Sequence, residues 1–255
     1  MTKDIFAFVL TSKIVNTKHR ELLLECIRHI RIIYPEHTIY LINDNSNPSL
    51  FPLEELLDYS VELVDSIVKN AGEINPYFFI LDDNCKYDKL LYIHDSVMIK
   101  NSIDEYLSSE YHFIPIWYSN KYIWNDIFID QNNDILDNMI FYGPINITLR
   151  ELLLSFKKSN SNFLVTFGAM GYFDKQFVEY IRDNTNFFAI ITKFKTRNNR
   201  CLFERIITCV YILMYKNIYT KSICGDINNH PFSFKNTELY INNFNNYFLK
   251  VWQGR

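Results

Sequence analysis

Short apolar runs alternate with amphipathic stretches through the first hundred residues, the order expected of strands and helices wound about a largely parallel sheet. Ile5 to Leu10 is almost wholly apolar and predicts a buried strand. Between Thr17 and Tyr34 the apolar positions Leu23, Cys26, Ile27, Ile30 and Ile33 share one helical face, and Pro35 follows where the helix must end. Further strands are expected over Thr38 to Ile42, Val61 to Val68 and Lys89 to Ile93. Asn75-Pro76 predicts an N-cap followed by proline at the first helical position. Ser102-Ile103-Asp104-Glu105 has the spacing of a capping box, and Tyr111 to Trp117 predicts another strand.

The second half is patterned less regularly. Ser119 to Tyr142 mixes Asn, Asp and aromatics without a period, which predicts a loop over the sheet. Thr148-Leu149-Arg150-Glu151 is a second capping box. Phe163 to Phe167 predicts a strand running into Gly168-Ala169-Met170-Gly171, after which Asp174 caps a helix reaching about Arg182. From Asn199 to Lys216 a long helix is expected, with Phe203, Ile206, Ile207, Val210, Leu213 and Met214 on its apolar side. The whole pattern predicts one α/β domain over 1–255, Rossmann-like, with a mixed, mostly parallel sheet flanked by helices. About 1–100 form one half of it and about 101–255 the other.

Composition narrows the function classes. The 26 Lys+Arg against 29 Asp+Glu give a net charge of -3, so no overall field draws the chain to nucleic acid or an anionic membrane. The five cysteines are scattered without C-x-x-C spacing, which predicts reduced, buried thiols. The apolar run at Ile5 to Leu10 is too short for a signal peptide or a membrane span, so a cytoplasmic protein is expected, in the host cytoplasm if the source is viral.

Two segments carry polar residues where strands end. Ile39-Tyr40-Leu41-Ile42 opens into Asn43-Asp44-Asn45-Ser46, where Asp44 either accepts hydrogen bonds from a base or ribose, or belongs to a turn that bonds its own backbone. In Lys89-Leu90-Leu91-Tyr92-Ile93-His94-Asp95-Ser96-Val97 three polar residues interrupt an apolar run, and burying them is costly unless they are paired or used. Ala71-Gly72-Glu73-Ile74-Asn75-Pro76 either attracts an anion to a helix N-terminus or simply shapes the entry to that helix.

The order strand, helix, strand ending in Asn-Asp-Asn-Ser, then a strand ending in His-Asp-Ser resembles the nucleotide-binding half of GT-A glycosyltransferases, in a viral or bacterial form with a degenerate Asp-x-Asp motif. His94 and Ser96 stand at the two Asp positions and Asp95 at the x. The resemblance implies transfer of a sugar from a nucleoside diphosphate sugar to a carbohydrate hydroxyl, as a hexosyl- or pentosyltransferase. Donor contacts would come from Thr11, Ser12, Asp44, Asn45, Gly72, Glu73, His94, Asp95 and Ser96, with Lys250 and Arg255 folding back as charge partners. Gly168, Ala169, Met170 and Arg205 would line the acceptor pocket, with Glu204 the catalytic base and Asp174 the second choice. Imidazole suits transition ions better than Mg²⁺, so a divalent cation such as Mn²⁺ on Asp95, His94 and His230 is expected, the alternative being a metal-free site that uses cationic side chains. A silent binding protein that keeps the fold is the alternative. A sugar nucleotidyltransferase is disfavoured, because Leu10-Thr11-Ser12-Lys13-Ile14 has no glycine.

Overall fold

β1 (Ala7–Ser12), β2 (Ile39–Asn43), β3 (Val61–Asp65) and β4 (Lys89–His94) lie parallel, with β1 paired to both β2 and β4 and β3 outside β2. The computed structural model describes residues 6–107, 111–119, 132–158, 163–194, 196–216, 222–230 and 247–251. Apart from the edge strand β3, which is largely exposed, these strands are short, apolar and rich in Ile, Leu, Val and Tyr, as suits a sheet covered on both faces. β1 is buried along its whole length. Helix α1 (Thr17–Ile33) connects β1 to β2; Asn16 caps it by accepting from His19 N, and Leu22, Leu23, Cys26, Ile27 and Ile30 are buried. Between β2 and β3 runs the short helix α2 (Leu53–Asp58), for which the sequence offered no expectation.

After β4 come β5 (Val97–Ile99), α3 (Asp104–Leu107) and β6 (Phe113–Pro115). Beyond the pair β7 (Tyr118–Ser119) and β8 (Val165–Thr166), the strand β9 (Gly171–Asp174) inserts antiparallel between β4 and β6. The result is a six-stranded mixed sheet in which only β9 runs against the others. Because β9 is reversed, its first residue Gly171 lies opposite Tyr92 near the carboxyl end of β4, and its last residue Asp174 lies opposite Lys89 at the amino end. The turn before β9 therefore sits at the edge where ligands bind in open α/β sheets. The long helix α4 (Arg197–Tyr215) packs across β8 and that turn. Thr196 and Asn199 form its capping box, so it begins slightly ahead of the expected start. A last strand, β10 (Phe248–Lys250), pairs antiparallel with β5.

Several expectations are corrected. β3 ends at Asp65, because Ser66 turns away to bond Asp44. Asn75 is not an N-cap; its side chain accepts from Val68 N and donates to Ser66 Oγ and Val68 O, tying the preceding loop together. Within the expected loop of 119–142, Asn133–Asn138 is helical, while 120–131 lie outside the described residues. Phe163 to Phe167 contributes only β8, and the chain then tightens into a 3-10 turn over Phe167–Ala169. The five cysteines are all unpaired, but only Cys26 and Cys209 are buried; the others are half-buried. Among the described residues no helix is long and apolar enough to cross a membrane.

Candidate functional site

The carboxyl ends of β1, β2 and β4 come into register, with Ser12 opposite Asn43 and Thr11 opposite His94. Polar residues there face one another rather than the core. Ser12 Oγ donates to Asp95 Oδ2 at 2.9 Å, and Thr11 Oγ1 shares a hydrogen bond of 3.1 Å with the buried Tyr92 hydroxyl. Both Asp95 and Ser96 are buried. The His-Asp-Ser interruption of the apolar run thus marks a polar cluster under the sheet edge.

Asp44 lies in this edge too, but it is turned inward. Its carboxylate accepts from Ser66 Oγ at 3.1 Å, Asn70 N at 2.6 Å and Gly72 N at 3.0 Å, and the residue is 3% exposed. Asp44 is thereby an anchor for the 66–72 loop, and the expected contact with a nucleoside is replaced by these three bonds. Asn45 is exposed with φ of 65°, and Ser46 N donates to Asn43 Oδ1, which makes 43–46 the self-bonded turn. Gly72 has φ of 52°, where a side chain would be strained and would also press on Arg200 at 3.3 Å. Arg200, from α4, closes over this loop: Nη1 donates to Asn70 O at 3.1 Å and Nε stands 3.1 Å from Glu73 Oε2. Lys13 Nζ donates to Asn70 Oδ1 at 2.7 Å.

The turn before β9 completes the site. Gly168 (φ 64°) and Ala169 (φ 51°) are both left-handed, and a Cβ on Gly168 would meet His94 Cε1 and Met170 Cε at 2.9 Å. The glycine expected to admit a ligand instead admits the imidazole, whose Nε2 donates to Gly168 O at 3.2 Å. Gly168 N donates in turn to Glu204 Oε1 at 3.1 Å, so one residue bridges the two, meeting Glu204 through its N–H and His94 through its carbonyl. From below, the buried Tyr77 hydroxyl donates to Ala169 O at 2.6 Å while its ring stacks on Phe173. Glu204 is held in rotation about α4 because Thr166 and Thr208 hydroxyls both donate to its carbonyl, at 3.0 and 2.9 Å.

Burial pushes the Glu204 carboxyl up to about 8; Arg205, the Gly168 N–H and Arg197 pull the other way, and nearby Glu73 adds to the rise. Glu73 is raised as well, chiefly by desolvation and against the attraction of Arg200. Arg205 is buried and donates to Cys201 O within its own helix, so it acts on Glu204 through its charge. At the far end of β4, Asp174 caps the helix Lys175–Asn184 through Phe177 N and pairs with His112 at 2.7 Å, which removes it from the site as a base.

The expected metal set does not fit. His94 Nε2 faces Gly168 O, Asp95 accepts from Ser12, and His230 Nε2 lies 3.2 Å from Cys224 O in a separate turn. Among the described residues no three His, Cys, Asp or Glu gather to hold an ion. Ser96 Oγ accepts the Lys250 ammonium. Arg255 lies outside the described residues. Tyr77, Arg200 and Lys13 were not singled out by the sequence; their partners are remote in the chain, and nothing local marks them.

No protein-family model and no curated protein matches the sequence. Among solved structures, the chain is similar to the bifunctional glycosyltransferase WbbM, at 13% identity and a TM-score of 0.48, over 100% of this chain and 47% of that one. It is also similar to the galactosyltransferase LgtC in complex with donor and acceptor sugar analogs, at 10% identity and a TM-score of 0.37, over 92% of this chain and 78% of that one. The chain thus spans about half the length of WbbM. Both TM-scores lie below one half, so what the site can do follows from its own geometry.

Proposed function

We propose that the chain is a glycosyltransferase that moves a sugar from a nucleoside diphosphate sugar to a carbohydrate hydroxyl, with Glu204 as general base. The observation that carries this reading is the Glu204 carboxyl, desolvated and tied through Gly168 to His94 at the sheet's carboxyl edge. In a single displacement the acceptor oxygen forms a bond to the anomeric carbon while the bond from that carbon to the diphosphate breaks. The electron pair leaves with the diphosphate, and the hydroxyl proton passes to Glu204. A carboxyl raised to about 8 is, once ionised, a stronger base than an ordinary carboxylate.

Donor contacts are assigned to the loop 70–73 with Thr11, Ser12 and Asp95, and the acceptor hydroxyl to Glu204, with the buried Gly168, Ala169 and Met170 backing that carboxylate. Asp44 and Arg205 act as positioning residues behind these groups. Release of nucleoside diphosphate from a panel of common nucleotide sugars tests the reading. One donor is expected to be hydrolysed slowly without acceptor and faster with a carbohydrate acceptor. A folded protein that neither binds nor cleaves any of them is the silent relative that the replaced Asp positions would otherwise suggest.

A further inference from the structure

A divalent cation at 94–96 would need more oxygen donors than the described residues gather there, and what stands beside Ser96 is a fixed ammonium. Lys250 enters on β10, which pairs Phe248 with Ile99, Leu249 with Met98 and Lys250 with Val97. Val251 N extends the ladder by donating to Ser96 O at 2.9 Å. Leu249 and Val251 are buried with Leu22 and Met98 in a small apolar cluster behind the strand. These contacts fix the backbone on both sides of Lys250, and its side chain is buried with Nζ on Ser96 Oγ. Burial of a lysine is tolerated only with partners, and here the neutral Ser96 hydroxyl is one of them.

We infer that Lys250 is the resident cation of the site, and that it receives the phosphates of a nucleoside diphosphate without a divalent metal. The inference rests on the transferase reading for the identity of the ligand. Three features support it. Ser96 offers a neutral hydroxyl and no carboxylate, and it orients an ammonium there. Asp95, the remaining carboxylate, is already bonded to Ser12, so the donor set is too poor in oxygen for a hard ion. An ammonium donates up to three hydrogen bonds and is a strong phosphate binder as a point charge, so it stabilises a departing diphosphate by the same electrostatics a metal supplies.

Binding of uridine, guanosine and thymidine diphosphates by calorimetry, in excess EDTA and then with Mn²⁺ restored, tests this directly. One nucleotide is expected to bind in EDTA with an affinity within about twofold of that in Mn²⁺. Lys250→Met should weaken that binding by tenfold or more, and Lys250→Arg should retain most of it. Ser96→Asp, which leaves Lys250 in place but neutralises it, should also lose tenfold or more in EDTA; this variant decides the matter if Lys250→Met does not fold. Binding that requires Mn²⁺, or that is unchanged in folded Lys250→Met, overturns the inference and leaves the transferase reading standing. Absence of binding to every nucleotide, with and without metal, overturns both.

Discussion

The two ends of β4 carry the same chemical pair, a carboxylate and an imidazole, and put them to different use. At the amino end Asp174 accepts from Phe177 N on one oxygen and from His112 on the other, so both oxygens are occupied where it stands. At the carboxyl end Gly168 links the two, its N–H bonding Glu204 and its carbonyl accepting from His94, and burial with Glu73 nearby raises the Glu204 carboxyl against that one backbone bond. The first arrangement stabilises a helix. The second keeps a carboxyl out of balance, which is how a fold retains a group able to move protons. Residue type does not distinguish the two ends; what occupies the oxygens does.

The sharpest test exchanges the ends. Glu204→Gln, which still accepts from Gly168 N, should reduce turnover by about 10² or more with donor affinity nearly unchanged, whereas Asp174→Asn should leave turnover within about twofold. Steady-state rates of the two variants side by side would break the contrast if they fell equally. The same pair predicts the pH profile. A base must be deprotonated, so the wild-type rate should climb with pH and level off above about 8. Stability should run the opposite way: the unfolded carboxyl ionises near its ordinary value while the folded one resists until about 8, so stability falls as pH rises between those two points. Glu204→Gln should remove that slope, as urea melts at several pH values would show.

Smaller effects are expected where a carboxylate serves the backbone. Asp44→Ala strands three donors of the 66–72 loop and should cost about 1–3 kcal/mol in stability, with donor affinity falling as the loop loosens. Asp174→Ala loses a cap and should cost about 1 kcal/mol by chemical denaturation, with the rate per folded molecule unchanged.

These contrasts also explain what could be read from the chain. The βαβ half was legible because its strands are apolar runs and α1 has a clean face and a proline stop. His94-Asp95-Ser96 was legible because polar residues inside an apolar run are costly without a use. The role of Asp44 was not, since its partners come 22 to 28 residues later on a loop with no period. Nothing local marks Tyr77, whose hydroxyl partner is 92 residues away; Arg200 reaches Asn70 across 130. Asp174 was read correctly as a cap but wrongly as a base, because only the reversal of β9 shows which end of the sheet it occupies.

The pairing of β10 with β5 has a kinetic consequence. Lys250 and Ser96 are 154 residues apart, whereas Phe8 and Ile39 in β1 and β2 are joined by a single helix. Closing the longer loop costs about 1–2 kcal/mol more entropy, before any contact rewards it. The parallel strands therefore assemble on their own schedule and the ammonium arrives afterwards. On refolding from urea, the sheet's circular dichroism should recover first and nucleotide binding should trail it, so the interval between the two signals times the docking of one strand.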